Sequence, residues 1–223
     1  MICQSIMVVC IALWLVEILL RFFSPTLLSL VLSYGMIIPA MVPHQPWTLI
    51  TNMFLHEPGL THVLFNMLTL WCVGPLLEKL LGHWRFLGMY LLCGLGGDAG
   101  LLIWSHFYGG SSWLTGAYGA SGALFGLFAA ILITYRRIGA DISSMLIWMV
   151  INFAMPLVYP NIAWQAHVGG FVVGGVYTWL LIYGVPSLRK QSLGRRSLIY
   201  GGSLLVVLAV VLLWALAPVL RSF

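Results

Sequence analysis

Residues 119–126 read GASGALFG and open a long apolar run. Ser121 stands between two small residues, so its hydroxyl has no bulky neighbour along the chain. Gly122 and Gly126 share one face of the predicted helix, where two glycines let a second helix approach closely. Small-residue motifs are common in membrane helices and can serve packing alone. Whether Ser121 takes part in a reaction therefore has to be judged from the other polar residues of the chain.

The composition is that of a membrane protein. Of the 223 residues, 61% are hydrophobic and only 7% are charged, whereas soluble domains carry about 25% charged residues. The chain is long enough for seven spans of about 20 residues each and leaves no room for a large soluble domain. We therefore expect an all-α membrane protein with a single polytopic domain over residues 1–223. The net charge of +5 does not indicate nucleic-acid binding, because the basic residues form short clusters between apolar runs.

Seven apolar segments predict the spans. The first covers residues 6–23 and lacks a basic flank and a convincing cleavage site, so we interpret it as a retained span and not a signal peptide. Residues 24–61 are apolar but broken by five prolines, so we expect a partly helical segment lying in the membrane interface. The other predicted spans cover about residues 62–79, 84–107, 117–135, 142–159, 163–183 and 198–216.

The basic residues predict how the spans are oriented. Eight of the ten Lys and Arg residues lie in the loops that follow the second, fourth and sixth spans. These loops fall on one side of the membrane, which the positive-inside rule makes cytoplasmic, together with the N-terminus. His62, Ser121 and His167 each lie in the first turns of those three spans. They are therefore predicted to share one depth, within roughly 10 Å of the outer surface.

Two further ionisable sites lie in the predicted spans. Glu17 and Arg21 are four positions apart near the end of the first span, so we expect a local ion pair between them. Asp98 stands at membrane depth in the third span, and the sequence assigns no role to it.

The residues at the shared depth suit acyl transfer. A serine is a poor nucleophile unless a base lies within hydrogen-bond reach, and His167 can take the Ser121 proton and return it to a leaving amine. Asn66 shares a helix face with His62, and both side chains can donate N–H groups to an oxyanion, as can the Ser121 backbone amide. The sequence therefore predicts a Ser-His dyad that needs no carboxylate.

The motifs H-x-x-x-N at residues 62–66, G-x-S-G at 119–122 and A-H-x-x-G at 166–170 occur in order on the second, fourth and sixth spans. In this the chain resembles the rhomboid family of intramembrane serine proteases, over about residues 21–183. The resemblance implies a rhomboid-like six-helix core, about residues 6–184, with an interfacial loop between spans one and two. The last span, about residues 198–217, is similar to an extra C-terminal helix that some members add.

The resemblance also implies roles for single residues. Ser121 would be the nucleophile and His167 the base, while His62, Asn66 and the Ser121 amide would form the oxyanion hole. Three glycines and one aromatic residue of the motifs would support the site: Gly119, Gly122, Gly170 and Phe125.

Phe125 stands where many members have a tyrosine that packs on the catalytic histidine, so the stacking face is kept and the hydroxyl is missing. Glu78 matches an acidic position that we interpret as structural. The chain departs from the family pattern at Trp47-Thr48, where many members have Trp-Arg, and His56 receives no role because its spacing to His62 differs.

The implied substrate is a transmembrane segment of another membrane protein, cleaved near the outer face where the helix unwinds easily. No metal or organic cofactor is expected, and the four cysteines have neither metal-site nor disulfide spacing. The composition fits a bacterial inner membrane. Two alternatives are a non-catalytic relative that binds transmembrane clients and a small transporter or channel, for which no internal repeat is evident.

Overall fold

A computed structural model describes residues 1–158 and 162–221, the last three of the first range by backbone only. Within these residues the regular structure is helical, apart from one isolated bridge between Ile37 and Ala117. The prediction of an all-α protein is confirmed. The helices are α1 (Ile2–Phe23), α2 (Pro25–Gly35), α3 (Thr48–Thr51), α4 (Leu60–Leu81), α5 (His83–Tyr108), α6 (Ser121–Ile138), α7 (Ser143–Val158), α8 (Trp164–Tyr183), α9 (Pro186–Arg189) and α10 (Leu193–Leu220), with two short 3-10 helices at Pro39–Met41 and Gly110–Leu114.

Six of these helices are long and apolar enough to cross a membrane: α1, α4, α5, α6, α8 and α10. They correspond to six of the seven predicted spans. The remaining one corresponds to α7, which is apolar but shorter, and its predicted end at residue 159 lies outside the described residues. Seven crossings therefore remain a prediction.

The predicted start of the fourth span at residue 117 was wrong. Ala117 pairs its backbone with Ile37 in two hydrogen bonds of 2.8 and 3.0 Å, so the chain is extended there. Gly119 follows with a φ of 134°, a conformation that side-chain-bearing residues rarely adopt. Helix α6 consequently begins at Ser121, which places this residue at the helix N-terminus, at the start of the first turn.

Helices α5, α6 and α8 form a core in which glycines bring backbones together. A Cβ atom built on Gly97 of α5 would lie 3.2 Å from the Cα of Gly122 on α6, and one on Gly170 of α8 would overlap the Gly122 carbonyl oxygen. Gly174 meets the backbone of Gly126 in the same way. Such contacts are a main source of helix association in lipid, because lipid tails compete for apolar side chains.

Two buried glutamates attach α1 to the rest of the molecule. The Glu78 carboxylate accepts the backbone N–H groups of Ile2 and Cys3 at 2.7 and 3.0 Å, and so caps the start of α1. The Glu17 carboxylate accepts the backbone N–H of His56 at 3.3 Å. The predicted ion pair between Glu17 and Arg21 was wrong: Glu17 faces inward, Arg21 is exposed, and no ion pair between them occurs among the described residues.

The segment between α1 and α4 is held in shape by hydrogen bonds within itself. The Trp47 indole N–H donates to the Tyr34 carbonyl at 2.9 Å. Thr48 is buried and donates its hydroxyl to the Gln45 carbonyl at 2.6 Å.

Candidate active site

Ser121 and His167 meet where α6 and α8 approach most closely. Ser121 is the first residue of α6, and His167 lies in the first turn of α8. The contact between Gly122 and Gly170 sets the separation of the two helices one residue beyond Ser121 and three beyond His167. The Ser121 Oγ and His167 Nε2 atoms consequently lie 2.9 Å apart, at hydrogen-bond distance.

The imidazole of His167 is oriented by an aromatic face. If Nε2 accepts the Ser121 proton, as a base does, the ring proton lies on Nδ1, which is buried and has no hydrogen-bond partner among the described residues. The Phe125 ring stacks on the imidazole with centroids 4.1 Å apart and planes 18° apart. Phe153 of α7 packs its edge on the other side of Phe125, at 4.3 Å. Ring packing thus fixes the imidazole plane.

His62 presents an N–H group to the same place. Its Nδ1 atom accepts the backbone N–H of Glu57 at 3.4 Å, and a backbone amide can only donate, so the proton of His62 resides on Nε2. This Nε2 atom would lie 2.8 Å from a Cβ built on Gly119. Glycine at position 119 is therefore required twice, by its positive φ and by the approach of His62.

Two further donors face the site. The Asn66 side-chain amide donates one N–H to the His62 carbonyl at 2.8 Å, which leaves its second N–H available. The amide of Ser121 belongs to the first turn of α6, where backbone N–H groups have no intrahelical acceptor and the helix dipole favours negative charge. Together with His62 Nε2–H, these groups can bind a developing oxyanion.

These side chains line one cavity of about 470 Å³ between α4, α5, α6 and α8. Its wall contains Ser121, His167, His62, Asn66 and Phe125. A cavity of this size accommodates a short peptide segment or ordered water in a polar setting. Within the described ranges, no three His, Cys, Asp or Glu side chains are grouped so that they could hold a metal ion.

The comparison with known families identifies this arrangement. Residues 43–184 match the model of the rhomboid domain. The chain belongs to the rhomboid family. It is accordingly an integral membrane protein, and several of its rhomboid relatives are named as proteases.

Three relatives show the range of the similarity. The chain is 33% identical over 172 residues to the rhomboid protease GluP of Bacillus subtilis (strain 168), covering 74% of this chain and 30% of GluP. It is 35% identical over 147 residues to the putative rhomboid protease YdcA of the same organism, covering 61% and 67%. It is 28% identical over 161 residues to the rhomboid-type serine protease 2 of Emericella nidulans, covering 68% and 30%. The chain thus spans only about a third of the length of two of these rhomboids.

The structure of this rhomboid brings the sequence-predicted residues together in two groups. Ser121, His167, His62, Asn66 and Phe125 line the cavity, as do Gly119 and Gly122. Gly170 instead lies in the contact between α6 and α8. The roles given to these residues remain predictions.

Sequence reasoning missed Asn52 as a site residue. Its carbonyl oxygen accepts the Gly119 N–H at 2.8 Å, and its side-chain amide donates to Asp98 Oδ1 at 3.1 Å. Asn52 and Asp98 both line the cavity. The sequence did single out Asp98, because an ionisable residue at membrane depth is unusual. It gave no such indication for Asn52, which lies in the interfacial segment.

His56 packs beside His62 in this rhomboid. Its ring centroid lies 5.4 Å from that of His62, and its Nδ1 atom donates to the Phe54 carbonyl at 3.2 Å. Burial, and after it the neighbouring His62, lower the pKa of His56 to about 3. His56 is therefore neutral near pH 7 and contributes packing beside His62, not charge.

Proposed function

We propose that this rhomboid is an intramembrane serine endopeptidase that cleaves transmembrane segments of other membrane proteins through a dyad of Ser121 and His167. The observation that carries the proposal is the 2.9 Å hydrogen bond between Ser121 Oγ and His167 Nε2 at the wall of the cavity. A nucleophile paired with a base, next to N–H donors, is the constellation that acyl transfer requires. The protease names of the relatives support the same reaction class.

The geometry supports a two-stage reaction. His167 Nε2 takes the Ser121 proton as Oγ attacks the scissile carbonyl carbon, and the resulting oxyanion accepts hydrogen bonds from His62 Nε2–H, Asn66 Nδ2–H and the Ser121 amide. The intermediate collapses to an ester on Ser121 while His167 returns the proton to the leaving amine. A water molecule, deprotonated by His167, then attacks the ester, and the new acid leaves as Ser121 regains its proton.

We place the reaction near the outer face of the membrane. Ser121 and His167 lie at the starts of α6 and α8, whereas most of the basic residues lie in the last turns of α4 and α6 or in the segments after α4 and α8. If the positive side is cytoplasmic, the cavity opens at the opposite face and the N-terminus is cytoplasmic. We further propose seven spans in one polytopic domain, with a core of about residues 6–184 and α10 as an added span, in a bacterial inner membrane.

The proposed substrate is a transmembrane segment that unwinds easily. A peptide bond inside a helix is hydrogen-bonded and shielded, whereas Ser121 needs an extended segment to reach its carbonyl. Glycine, proline and small polar residues weaken a helix and would favour local unwinding. No cofactor takes part in the proposed reaction.

The test is cleavage of a model transmembrane substrate by purified protein in lipid vesicles. We expect Ser121→Ala and His167→Ala each to lower kcat by at least about 1,000-fold, as for other serine proteases that lose a dyad residue. Ser203→Ala, an exposed serine on α10, is the matched control and is expected to cleave normally.

A serine-directed fluorophosphonate gives an independent readout. Labelling at Ser121 without cleavage would mean that the site is competent and the model substrate unsuitable. Full activity of Ser121→Ala would refute the proposed function. Folded protein that neither cleaves nor labels would favour the alternative, a non-catalytic rhomboid that binds transmembrane clients.

A further inference from the structure

Asp98 contributes a buried carboxyl group to the cavity wall that the reaction described above does not use. The residue lies in the middle of α5 and is 3% exposed. Glu57, the other acidic residue of the wall, is exposed on the loop before α4. Asp98 therefore supplies the acidic group inside the cavity, at membrane depth, where polar side chains are costly and usually serve a function.

Only half of the Asp98 carboxyl group is satisfied by the protein. Its Oδ1 atom accepts the Asn52 side-chain N–H at 3.1 Å. Its Oδ2 atom is buried and has no hydrogen-bond partner among the described residues. Buried polar atoms are nearly always hydrogen-bonded, because leaving one unpaired is unfavourable. The oxygen therefore lacks a partner that a substrate group bound in the cavity would supply on reaching it.

The carboxyl group lines the same cavity as the proposed nucleophile. Gly97, the residue before Asp98, is packed on Gly122, the residue after Ser121. On the other side, the Asn52 that binds Asp98 also accepts the Gly119 N–H through its carbonyl oxygen, at 2.8 Å. Asp98 is therefore linked to both sides of the Ser121 turn. The substrate side chain nearest to Ser121 Oγ belongs to the residue that supplies the scissile carbonyl, and this side chain would enter the same cavity.

We propose that Asp98 is a specificity-determining residue. It favours substrates in which the residue that supplies the scissile carbonyl has a small hydrogen-bond-donating side chain, such as serine. Substrates with an alkyl side chain of similar size at that residue are disfavoured. The inference rests on the proposed function. The substrate hydroxyl would donate to Asp98 Oδ2 and satisfy it, while an alanine would leave that oxygen unpaired. A lysine is disfavoured because its charge would have to be desolvated at membrane depth.

The size of the preference follows from the unpaired Asp98 oxygen that an alanine substrate leaves in the cavity. A pocket that only adds or removes contact area discriminates weakly, whereas a buried polar group left unpaired by one substrate discriminates more strongly. We expect a ratio of kcat/KM of roughly 10-fold for serine over alanine.

The experiment measures this ratio directly. Two transmembrane substrates that differ only in serine or alanine at the residue before the mapped cut compete in the same lipid vesicles. The enzymes are the wild type, Asp98→Ala, Asp98→Asn and Asn52→Ala. We expect the roughly 10-fold preference in the wild type and a ratio near 1 in Asp98→Ala, because the loss falls on the serine substrate. Asp98→Asn replaces the carboxyl group by an amide of the same shape, which still has hydrogen-bonding atoms, and is expected to keep part of the preference.

Asn52→Ala separates specificity from positioning. It removes the side-chain amide that donates to Asp98 Oδ1 and keeps both the Asn52 backbone carbonyl, which accepts the Gly119 N–H, and the Asp98 carboxyl group. We therefore expect any slowing to fall on both substrates by the same factor and the ratio to persist. If Asp98→Ala also slows both substrates equally, Asp98 only positions the Ser121 turn and the proposal is overturned. Fluorophosphonate labelling of Ser121 verifies the fold of each variant.

The remaining outcomes distinguish the two proposals. A wild-type ratio near 1 in an active enzyme overturns the specificity inference and leaves the protease function standing. That outcome does not require a folded Asp98→Ala, and if this variant does not fold, the loss of preference is measured in Asp98→Asn. Folded wild-type protein that cleaves neither substrate and does not label at Ser121 would overturn the protease function, and the specificity inference with it.

Discussion

Helices α6 and α7 are neighbours in sequence but are held in the molecule in different ways. In α6 every residue from position 122 to 131 is buried, and its glycines touch the backbones of α5 and α8. In α7 large apolar side chains such as Ile147 and Val150 are exposed at 63% and 60%. Its contact with α4 runs through Trp148, whose indole N–H donates to Thr69 Oγ1 at 3.0 Å and whose ring stacks on Phe65.

This difference distinguishes the helices that position Ser121 and His167 from the helix that packs beside them. The dyad is placed by contacts between backbones, which have no side-chain freedom to adjust. Helix α7 is placed by side-chain contacts, which can rearrange while the backbone core stays intact. Substitutions in the core are therefore expected to affect the proposed reaction strongly, and those at the exposed side chains and the α4-facing Trp148 of α7 to affect it weakly.

The largest effect is expected for Gly170→Ala. The added Cβ would overlap the Gly122 carbonyl oxygen, so α6 and α8 would have to separate. Because small displacements of reacting groups are costly, we expect cleavage to fall by more than about 100-fold and the melting temperature to drop by several degrees. Gly202→Ala on α10, where nothing lies within 4 Å, is the control. Normal cleavage by Gly170→Ala would show that backbone contact does not position the dyad.

Gly119→Ala tests the turn before α6. The new Cβ would lie 2.8 Å from His62 Nε2 and at a φ of 134°. We expect kcat to fall roughly 10- to 100-fold because an oxyanion donor is displaced. Gly109→Ala also has a positive φ, of 61°, but open space around it, and controls for backbone strain. Equal losses in the two variants would assign the effect to strain alone.

Phe125→Leu tests the ring that orients His167. Leucine keeps an apolar side chain but removes the stacked face, which lies 4.1 Å from the imidazole. We expect kcat to fall by about 5- to 10-fold with KM little changed, in line with the usual strength of an aromatic pair. Phe125→Tyr keeps the ring and is expected to keep the rate. A change in KM alone would indicate that Phe125 contacts substrate instead.

Trp148→Leu is expected to have the smallest effect on the dyad. It removes the hydrogen bond to Thr69 and the stack on Phe65, and should lower stability by about 1–2 kcal/mol. Labelling of Ser121 by a small fluorophosphonate should stay within about 3-fold of wild type, a change of less than about 1 kcal/mol. Trp84→Leu, a tryptophan that is largely exposed, is the control. A loss of labelling as large as that of Gly170→Ala would make α7 part of the rigid core.

The sequence predicted the features that depend on local spacing. His62 and Asn66 lie one turn apart on α4 because any helix places such residues on one face. The glycines at 122 and 126 and at 170 and 174 predicted close approach for the same reason. The start of α6 was misplaced because an apolar run does not reveal where a glycine with positive φ interrupts the helix.

The contacts that the sequence did not reveal join residues remote along the chain. Asp98 finds Asn52 at a separation of 46 positions, and Glu17 finds His56 at a separation of 39. The four-residue spacing predicted Arg21 as the partner of Glu17. In the structure the Glu17 side chain is buried and the Arg21 side chain is exposed, so the two do not pair. Such pairings depend on how the interfacial segment packs against the helices, and this packing cannot be predicted from the periodicity of the sequence.

The stack of Phe125 on His167 determines which properties of the surrounding solvent and lipid would change the rate of the proposed enzyme. A ring face holds the imidazole where a carboxylate often does in serine proteases, so among the described residues no ion pair at the dyad is exposed to screening by dissolved salt. The alignment depends instead on how α5, α6 and α8 tilt against one another, and tilt responds to the thickness of the surrounding bilayer. Lipid chain length, more than ionic strength, is therefore the solvent variable that would tune the rate.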